Sequence, residues 1–229
     1  MSAAAHLDGR PIAGLTIDAM GCLVVLRDPT PALGRLLVAH GVPRPAGAVG
    51  RALRREIAYY RAHHLDGRDA AGLRDLRERC VTELLDELAV PRPLGDEAGF
   101  LDGFLAALAF EPLPGAAAAL AACRAAGLRL VCVSNWDSDL PRHLARLGLA
   151  EHLDGVVTSA GAGVAKPDPR IFDGALELLG LPAEAVAHLG DEPVDRDGAA
   201  AAGLGFLDPP VATLPERLGI VGAASPELR

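Results

Sequence analysis

Apolar residues recur at three- and four-residue spacing through the first half of the chain, from about residue 32 to residue 109. One such run comprises Leu73, Leu76, Val81, Leu84, Leu85 and Leu88. This period is typical of helices that bury one face. It predicts helices over about 32–40, 47–64, 68–89 and 96–109. Because no strand pattern interrupts the region, we predict a helical module there.

After about residue 110 the pattern changes to short apolar runs that alternate with helical segments, and most of the helical segments end at a glycine. Together with an early apolar run ending at Ile17, it predicts strands over about 13–17, 128–133, 155–158, 185–189 and 204–207. The helices between them are predicted over about 116–126, 138–147, 169–179 and 195–202. Strands that alternate with helices form parallel sheets. We therefore predict an α/β fold, with residues 1–12 as a loose leader.

Several of these strands end in polar residues. Asp18 follows the first strand, and Gly21 then favours a turn. Ser134 and Asn135 end the second strand, and Asp191 follows the strand over 185–189. Because open α/β sheets bind ligands at the carboxyl ends of their strands, we expect these side chains to share one crevice. Lys166, in the segment Lys166-Pro-Asp168, is expected to join them.

The composition excludes several classes of partner. The 229 residues include 30 acidic and 22 basic ones, which gives a net charge of −8. This charge argues against nucleic acid or an anionic membrane as the main partner. No apolar run is long enough to span a membrane, and the first 14 residues do not resemble a secretion signal. Four widely spaced cysteines without a C-x-x-C pattern predict reduced thiols in a cytoplasmic protein.

Four segments of the chain, in order, resemble the motifs of the haloacid dehalogenase superfamily. They are Asp18-Ala-Met-Gly-Cys-Leu23, Ser134-Asn135, Lys166-Pro-Asp-Pro-Arg-Ile-Phe172 and Gly190-Asp-Glu-Pro-Val-Asp195. The resemblance implies a hydrolase with a Rossmann-like parallel-sheet core over 1–27 and 110–229. It also implies an inserted α-helical cap domain over 28–109, as in the subfamily with a helical cap. The most similar branch holds phosphatases, phosphonatases and 2-haloacid dehalogenases.

The resemblance also suggests roles for individual residues. Asp18 would be the nucleophile that forms a covalent intermediate, and Lys166 would neutralise charge beside it. Ser134, with Asn135, would hold a phosphoryl oxygen or a carboxylate of the substrate. Mg²⁺ would be bound by Asp18, the backbone carbonyl of Met20 and Asp191, because this cation prefers oxygen ligands. Asp195 would orient Lys166 or a metal-bound water.

Each motif also has a purely structural interpretation. Asp18 could be an ordinary turn residue, and Gly190-Asp191 could be an ordinary turn. Ser134-Asn135 could cap the helix over 138–147. Lys166 could be an exposed loop lysine.

The first motif departs from the phosphatase pattern at two positions. Phosphatases of the superfamily carry a second aspartate two residues after the nucleophile, where it acts as a general acid and base. Met20 stands there instead. General acid–base catalysis contributes roughly 10²–10⁴-fold, so its loss raises a phosphomonoester barrier by about 3–5 kcal/mol. Cys22 replaces the Thr or Ser that usually follows the glycine.

Three functional interpretations follow. The first is a Mg²⁺-dependent phosphatase-like hydrolase whose substrate has a leaving group that needs little protonation, or which takes an acid from the cap or the substrate. The second is a 2-haloacid dehalogenase-like hydrolase. Such enzymes also lack the second aspartate, but they need no metal, so Asp191 argues against this interpretation. The third is a protein that no longer hydrolyses anything and serves in binding, regulation or other chemistry.

The helical module is expected to select the substrate. Arg51 and Arg55, with Arg54, lie at i, i+3 and i+4 spacing on one predicted helix face. They could meet a small anionic substrate, or they could form a solvated surface. The oligomeric state is not indicated by any of these patterns.

Overall fold

The computed structural model describes residues 5–90, 94 and 99–220. The chain divides into two compact units. One consists of Met1–Val25 with Pro112–Arg229, and the other of Leu26–Glu111. The first unit contains a parallel sheet, whereas the second is almost entirely helical.

The first unit is built on a five-stranded parallel sheet, which confirms the α/β fold class. In spatial order its strands are β7 (Gly155–Thr158), β6 (Arg129–Ser134), β3 (Gly14–Ile17), β8 (Val186–Leu189) and β9 (Gly205–Leu207). All four residues of β3 are buried, as expected for a parallel strand covered on both faces. A separate two-stranded sheet pairs β4 (Val24–Leu26) with β5 (Phe110–Pro112).

The register of the central strands brings their carboxyl ends to one edge. Ile17 of β3 pairs with Cys132 of β6 on one side and with Leu189 of β8 on the other. The residues that follow these three strands therefore emerge next to one another. The order β6-β3-β8 is also where chain connections leave in opposite directions, which is where such sheets bind ligands.

Helices cover the sheet. They are α5 (Ala116–Ala125), α6 (Leu140–Arg146), α7 (Ser159–Ala162), α8 (Asp173–Leu179), α9 (Pro193–Ala201) and α10 (Leu214–Arg217). Phe172 and Leu179 join residues of β6, β8 and α9 in one fully apolar cluster. This cluster fixes α8 and α9 against one face of the sheet.

The second unit contains α1 (Thr30–Ala39), α2 (Ala46–His63), α3 (Ala70–Glu87) and α4 (Phe100–Ala107). These bounds lie close to the predicted helices, although residues 96–98 of the last prediction lie outside the described residues. Asp69 caps α3 by accepting hydrogen bonds from the backbone N–H groups of Ala71 and Gly72. Leucine, valine and phenylalanine side chains from all four helices form its core. Within the described residues, no helix has the length and apolarity needed to cross a membrane.

The prediction of a loose leader was wrong for the described part of residues 1–12. β1 (His6–Leu7) and β2 (Arg10–Pro11) form an antiparallel hairpin. Ala5 and Ile12 are buried, and the His6 N–H donates to the carbonyl of Leu218. The hairpin was missed because two-residue strands carry no periodic pattern, and the short β5 and α10 were missed for the same reason.

Glu56 is an ionisable residue buried in the helical unit. It lies on α2 and is only 4% exposed. Burial raises the pKa of its carboxyl to about 7, and a hydrogen bond with Cys80 of α3 opposes this shift. The carboxyl group is therefore protonated in the folded protein at pH values where an unfolded chain has already lost that proton.

We predict that the free energy of unfolding falls as the pH rises from about 5 to about 8. Folded Glu56 binds its proton more tightly than the unfolded chain does, so deprotonation favours unfolding, by up to about 3 kcal/mol. Urea unfolding followed by circular dichroism at several pH values measures this change. Glu56→Gln should remove most of the pH dependence, whereas Glu78→Gln, at a surface position of α3, should leave it intact. Equal pH dependence in both variants would contradict the prediction.

Candidate active site

Asp18 lies at the centre of the candidate site, directly after β3. Its backbone N–H donates to the carbonyl of Leu189 at 2.8 Å, which extends the pairing of β3 with β8 by one residue. The chain then turns back tightly, because the N–H groups of Leu23 and Val24 both donate to the carbonyl of Ala19. Asp18 is 7% exposed. Its carboxylate is thus held at the edge of the sheet with little exposure to solvent.

The ammonium group of Lys166 contacts three oxygen atoms. Its Nζ lies 2.6 Å from Asp18 Oδ1, 2.5 Å from Asp195 Oδ1 and 3.0 Å from the carbonyl of Val133. The side chain is only 1% exposed, so the interpretation as an exposed loop lysine is wrong. Burial alone lowers the pKa of Lys166, but the charges of Asp18 and Asp195 outweigh it and raise the pKa. The ammonium therefore stays charged beside Asp18.

Asp195, in the first turn of α9, is held from three directions. Its Oδ1 contacts Lys166 and, at 3.4 Å, His188 Nε2, while its Oδ2 accepts the backbone N–H of Glu192 at 2.9 Å. Burial by itself raises the pKa of Asp195. The His188 contact and the charge of Lys166 outweigh this effect, and the pKa lies well below its usual range. Asp195 is thus a permanent counter-charge for Lys166.

His188 extends this hydrogen-bonded chain into the sheet. It is fully buried on β8, and its Nδ1 lies 2.9 Å from Thr16 Oγ1 on β3. Burial lowers the pKa of His188, so the ring is neutral at pH 7. A neutral ring has one N–H, and only a donor suits the carboxylate of Asp195. The proton therefore lies on Nε2, and the hydroxyl of Thr16 donates a hydrogen bond to Nδ1.

Asp191 places a second carboxylate near Asp18, and Cys22 lies with them. Possible ligand atoms of these three residues lie within 4.8 Å of one another. Gly21 makes the approach possible, because it has φ +75° and a Cβ there would come within 2.2 Å of Asp191 Oδ2. Two carboxylates at this spacing fit a divalent cation.

The electrostatic balance of the site also favours a cation. Partial desolvation, followed by repulsion from the carboxylates of Asp18, Asp195 and Glu192, raises the pKa of Asp191. The ammonium of Lys166 contacts the carboxylates of Asp18 and Asp195, and the carboxylate of Asp191 lies close to that of Asp18. These four groups together carry an excess of two negative charges, which one divalent ion would balance.

Ser134 and Asn135 end β6 at the same edge of the sheet. Ser134 is 2% exposed, and its backbone pairs with Thr158 of β7. The amide of Asn135 accepts the N–H of Lys166 at 2.8 Å and donates to its carbonyl at 3.0 Å. α6 has no side-chain cap at its N-cap Asp139, so the capping interpretation of Ser134-Asn135 is wrong. Because its amide is engaged in this way, a substrate contact with Asn135 would compete with both bonds.

The remaining predicted residues lie on other elements. Met20 lies in the turn after Asp18, is half-buried and bridges to Val24. Arg51 and Arg55 lie on α2 in the helical unit. Arg55 pairs with Glu83 and Glu87, whereas Arg51 donates to the carbonyl of Gly47. Substrate binding by these arginines stays a prediction.

Three residues of the network were not identified from the sequence in the roles they have. Thr16 and His188 are polar residues inside short apolar strands, and this interruption was a usable signal. Asn135 was expected to bind substrate, but its two bonds hold the backbone of Lys166. Nothing local in the sequence indicates a contact between residues 31 positions apart.

The model of one protein family matches residues 15–203 of the chain, and its description is haloacid dehalogenase-like hydrolase. The chain therefore belongs to the haloacid dehalogenase-like hydrolases. This confirms the resemblance found in its motifs.

Two curated relatives illustrate the range of similarity. Haloacid dehalogenase-like hydrolase domain-containing protein 3 of Homo sapiens is 46% identical over 96 residues, which are 42% of this chain and 38% of that protein. The chain thus spans well under half of the length of that relative. The phosphoglycolate phosphatase of Rhodospirillum rubrum is 32% identical over 186 residues, which cover 62% of this chain and 77% of the relative.

Solved structures of similar fold include L-2-haloacid dehalogenases. The enzyme from Xanthobacter autotrophicus matches with a TM-score of 0.62 and 25% identity, over 85% of this chain and 76% of that one. A defluorinating L-2-haloacid dehalogenase matches with a TM-score of 0.70 and 22% identity, over 90% and 84%. The second likeness concerns the fold alone.

We predict that Asp195→Asn lowers the free energy of unfolding by about 3–5 kcal/mol, because it leaves the buried ammonium of Lys166 with one counter-charge fewer. Urea or thermal unfolding measures the loss. Asp197→Asn, at an exposed position of the same helix, is the matched control and should change stability by less than about 0.5 kcal/mol. A loss in Asp195→Asn as small as that in Asp197→Asn would show that the ion pair of Asp195 with Lys166 contributes little to the free energy of unfolding.

Proposed function

We propose that this haloacid dehalogenase-like hydrolase is a Mg²⁺-dependent, phosphatase-like enzyme that acts on a small phosphorylated metabolite. The observation that carries the proposal is the second carboxylate, Asp191, within 4.8 Å of Asp18 and Cys22. A nucleophilic carboxylate already paired with Lys166 needs no further negative charge beside it. A divalent cation explains the arrangement. The phosphatase names of two relatives, for phosphoserine and phosphoglycolate, support the same class of reaction.

Asp18 is the proposed nucleophile. Its Oδ1 is held by Lys166, which leaves Oδ2 to attack phosphorus. A bond forms between Oδ2 and phosphorus while the bond from phosphorus to the leaving oxygen breaks. Water then hydrolyses the acyl phosphate and restores the carboxylate. The ammonium of Lys166 stabilises the charge that develops on the transferred group.

Ser134 and a divalent cation complete the proposed site. The hydroxyl of Ser134 donates a hydrogen bond to a phosphoryl oxygen. Mg²⁺, when bound, is held by Asp18, Asp191 and the backbone carbonyl of Met20 and supplies positive charge to the phosphoryl group. Asp195 orients Lys166 through the contact already described.

Met20 limits the substrates on which such a site can act. A thioether neither donates nor accepts the proton that a poor leaving group requires. We therefore propose a substrate whose leaving group needs little protonation, or which carries its own acid. Because position 20 lacks a general acid, we expect weak activity toward ordinary alkyl phosphates.

We further propose that residues 28–109 act as a cap that selects a small anionic substrate. Arg51 is the stronger candidate for that contact, because the charge of Arg55 is already balanced by Glu83 and Glu87. The net charge of −8 disfavours nucleic acid as a partner. A cytoplasmic location is proposed from the four buried cysteines, since none of these described residues forms a disulfide.

A metal-independent dehalogenase is the second candidate, favoured by the 25% identity to the enzyme from Xanthobacter autotrophicus. Halide leaves without a proton, which fits Met20. A non-hydrolytic role in binding or regulation is the remaining alternative. Release of halide from a 2-haloacid without added metal would establish the second candidate, and a biological role that survives loss of Asp18 would establish the third.

We predict that Asp18→Asn reduces Mg²⁺-dependent hydrolysis of an activated aryl phosphate by about three orders of magnitude or more, because the amide is not a nucleophile. Release of the phenolate measures turnover. Asp173→Asn, at an exposed position of α8, should retain full activity. No turnover of any phosphate by the wild-type protein with Mg²⁺ would refute the proposed function.

We also predict that Met20→Asp raises kcat/KM for an alkyl phosphate by about tenfold or more, toward the roughly 10²–10⁴-fold that general acid–base catalysis contributes. Met20 is half-buried, so a smaller polar side chain can reach solvent there. Met20→Asn has nearly the same shape as the aspartate but no titratable proton, and it should show no gain. Equal activity of the two variants would mean that the acid is not the missing group.

A further inference from the structure

Cys22 adds a sulfur atom to a site otherwise built from oxygen. Its side chain is fully buried, and its Sγ lies within 4.8 Å of carboxylate oxygens of Asp18 and Asp191. Within the described residues the thiol makes no hydrogen bond. A buried polar group without such a partner is uncommon. The proximity of this thiol to two carboxylates points to a ligand that binds all three residues.

The charges around Cys22 favour a cation. Asp18, Asp191 and Asp195 all act on the thiol electrostatically, and Lys166 opposes them. An anion would be repelled from this position, whereas a divalent cation would be attracted. The carboxylates alone suit Mg²⁺, but a thiolate is a poor ligand for that ion.

A ligand set of one sulfur and two carboxylates favours a softer metal. Thiolate ligands select Zn²⁺ and related ions, and Zn²⁺ accepts sulfur and carboxylate oxygen in one coordination shell. The hydroxyl of Ser or Thr at this position would not provide that preference. The departure from the usual motif at Cys22 therefore changes which metals the site prefers.

We propose that Cys22 gives this site a binding preference for thiophilic divalent cations, with its Sγ ligating the metal beside Asp18 and Asp191. On binding, the thiol proton passes to solvent and the thiolate forms a bond to the metal. Zn²⁺ bound in this way occupies the carboxylate of the nucleophile and competes with Mg²⁺. The inference rests on the metal site of the proposed function.

The test is a titration of the full, metal-stripped chain with Cd²⁺, which reports thiolate ligation through an ultraviolet charge-transfer band. We expect one equivalent of Cd²⁺ to produce the band in the wild-type protein. Cys22→Ser should abolish the band and weaken Cd²⁺ binding by about tenfold or more, because a hard ligand replaces a soft one. Cys123→Ser, on α5, is the matched control and should retain the band.

Absence of the band in the wild-type protein, or its survival in Cys22→Ser, would overturn the inference. If Cys22→Ser does not fold, as judged by circular dichroism, ¹¹³Cd NMR of the wild-type protein decides the matter. A resonance typical of mixed sulfur and oxygen ligation supports the inference, and one typical of oxygen ligation alone contradicts it.

The same preparations separate this inference from the proposed function. A Cd²⁺ band that depends on Cys22, without Mg²⁺-dependent phosphate hydrolysis, leaves the metal preference standing and refutes the phosphatase proposal. Mg²⁺-dependent phosphate hydrolysis without a Cd²⁺ band supports the phosphatase proposal and overturns the inferred metal preference. When both are present, Mg²⁺ should displace Cd²⁺ from the wild-type protein less readily than from Cys22→Ser.

Discussion

The candidate site depends on one buried ammonium group. Lys166 has left water almost completely, and such a transfer costs several kcal/mol unless fixed partners replace the water. Asp18, Asp195 and the carbonyl of Val133 supply those partners. They follow β3, belong to α9 and lie within β6, respectively. A single side chain therefore requires three separate elements to converge, and the parallel sheet is what brings their ends together.

The site still carries excess negative charge after Lys166 has paired with Asp18 and Asp195. Lys166 supplies one positive charge against the two carboxylates of Asp18 and Asp195. Repulsion among carboxylates is reflected in the raised pKa of Asp191. The turn after Asp18 keeps this arrangement, since Gly21 leaves the space that Asp191 occupies. Met20, two residues after Asp18, offers no titratable proton in this turn.

Much of the core could be predicted from the sequence because its strands are apolar, several of its helices end at glycines, and Asp18, Ser134 and Asp191 lie at or just after strand ends. The α/β class, the helical module and the motifs of the family all came from these local signals. The hairpin of residues 6–11 did not, because its strands are only two residues long and one of its hydrogen bonds is made with distant residue 218. The roles of His188 and Asn135 are long-range as well. A polar residue in an apolar strand indicates that it has a hydrogen-bond partner, but only the tertiary structure identifies that partner.

The contact between Asn135 and Lys166 has a consequence for how this site tolerates change. One amide side chain bonds both the N–H and the carbonyl of a residue 31 positions away, as a neighbouring strand would do. The lysine is therefore located by the end of β6 and not by the length of the intervening chain. Extra residues inserted at the exposed turn around Ala162 and Gly163 would extend the loop outward and leave the ammonium where it is. The chain between Asn135 and Lys166 can therefore change in length while the ammonium group of Lys166 stays beside Asp18.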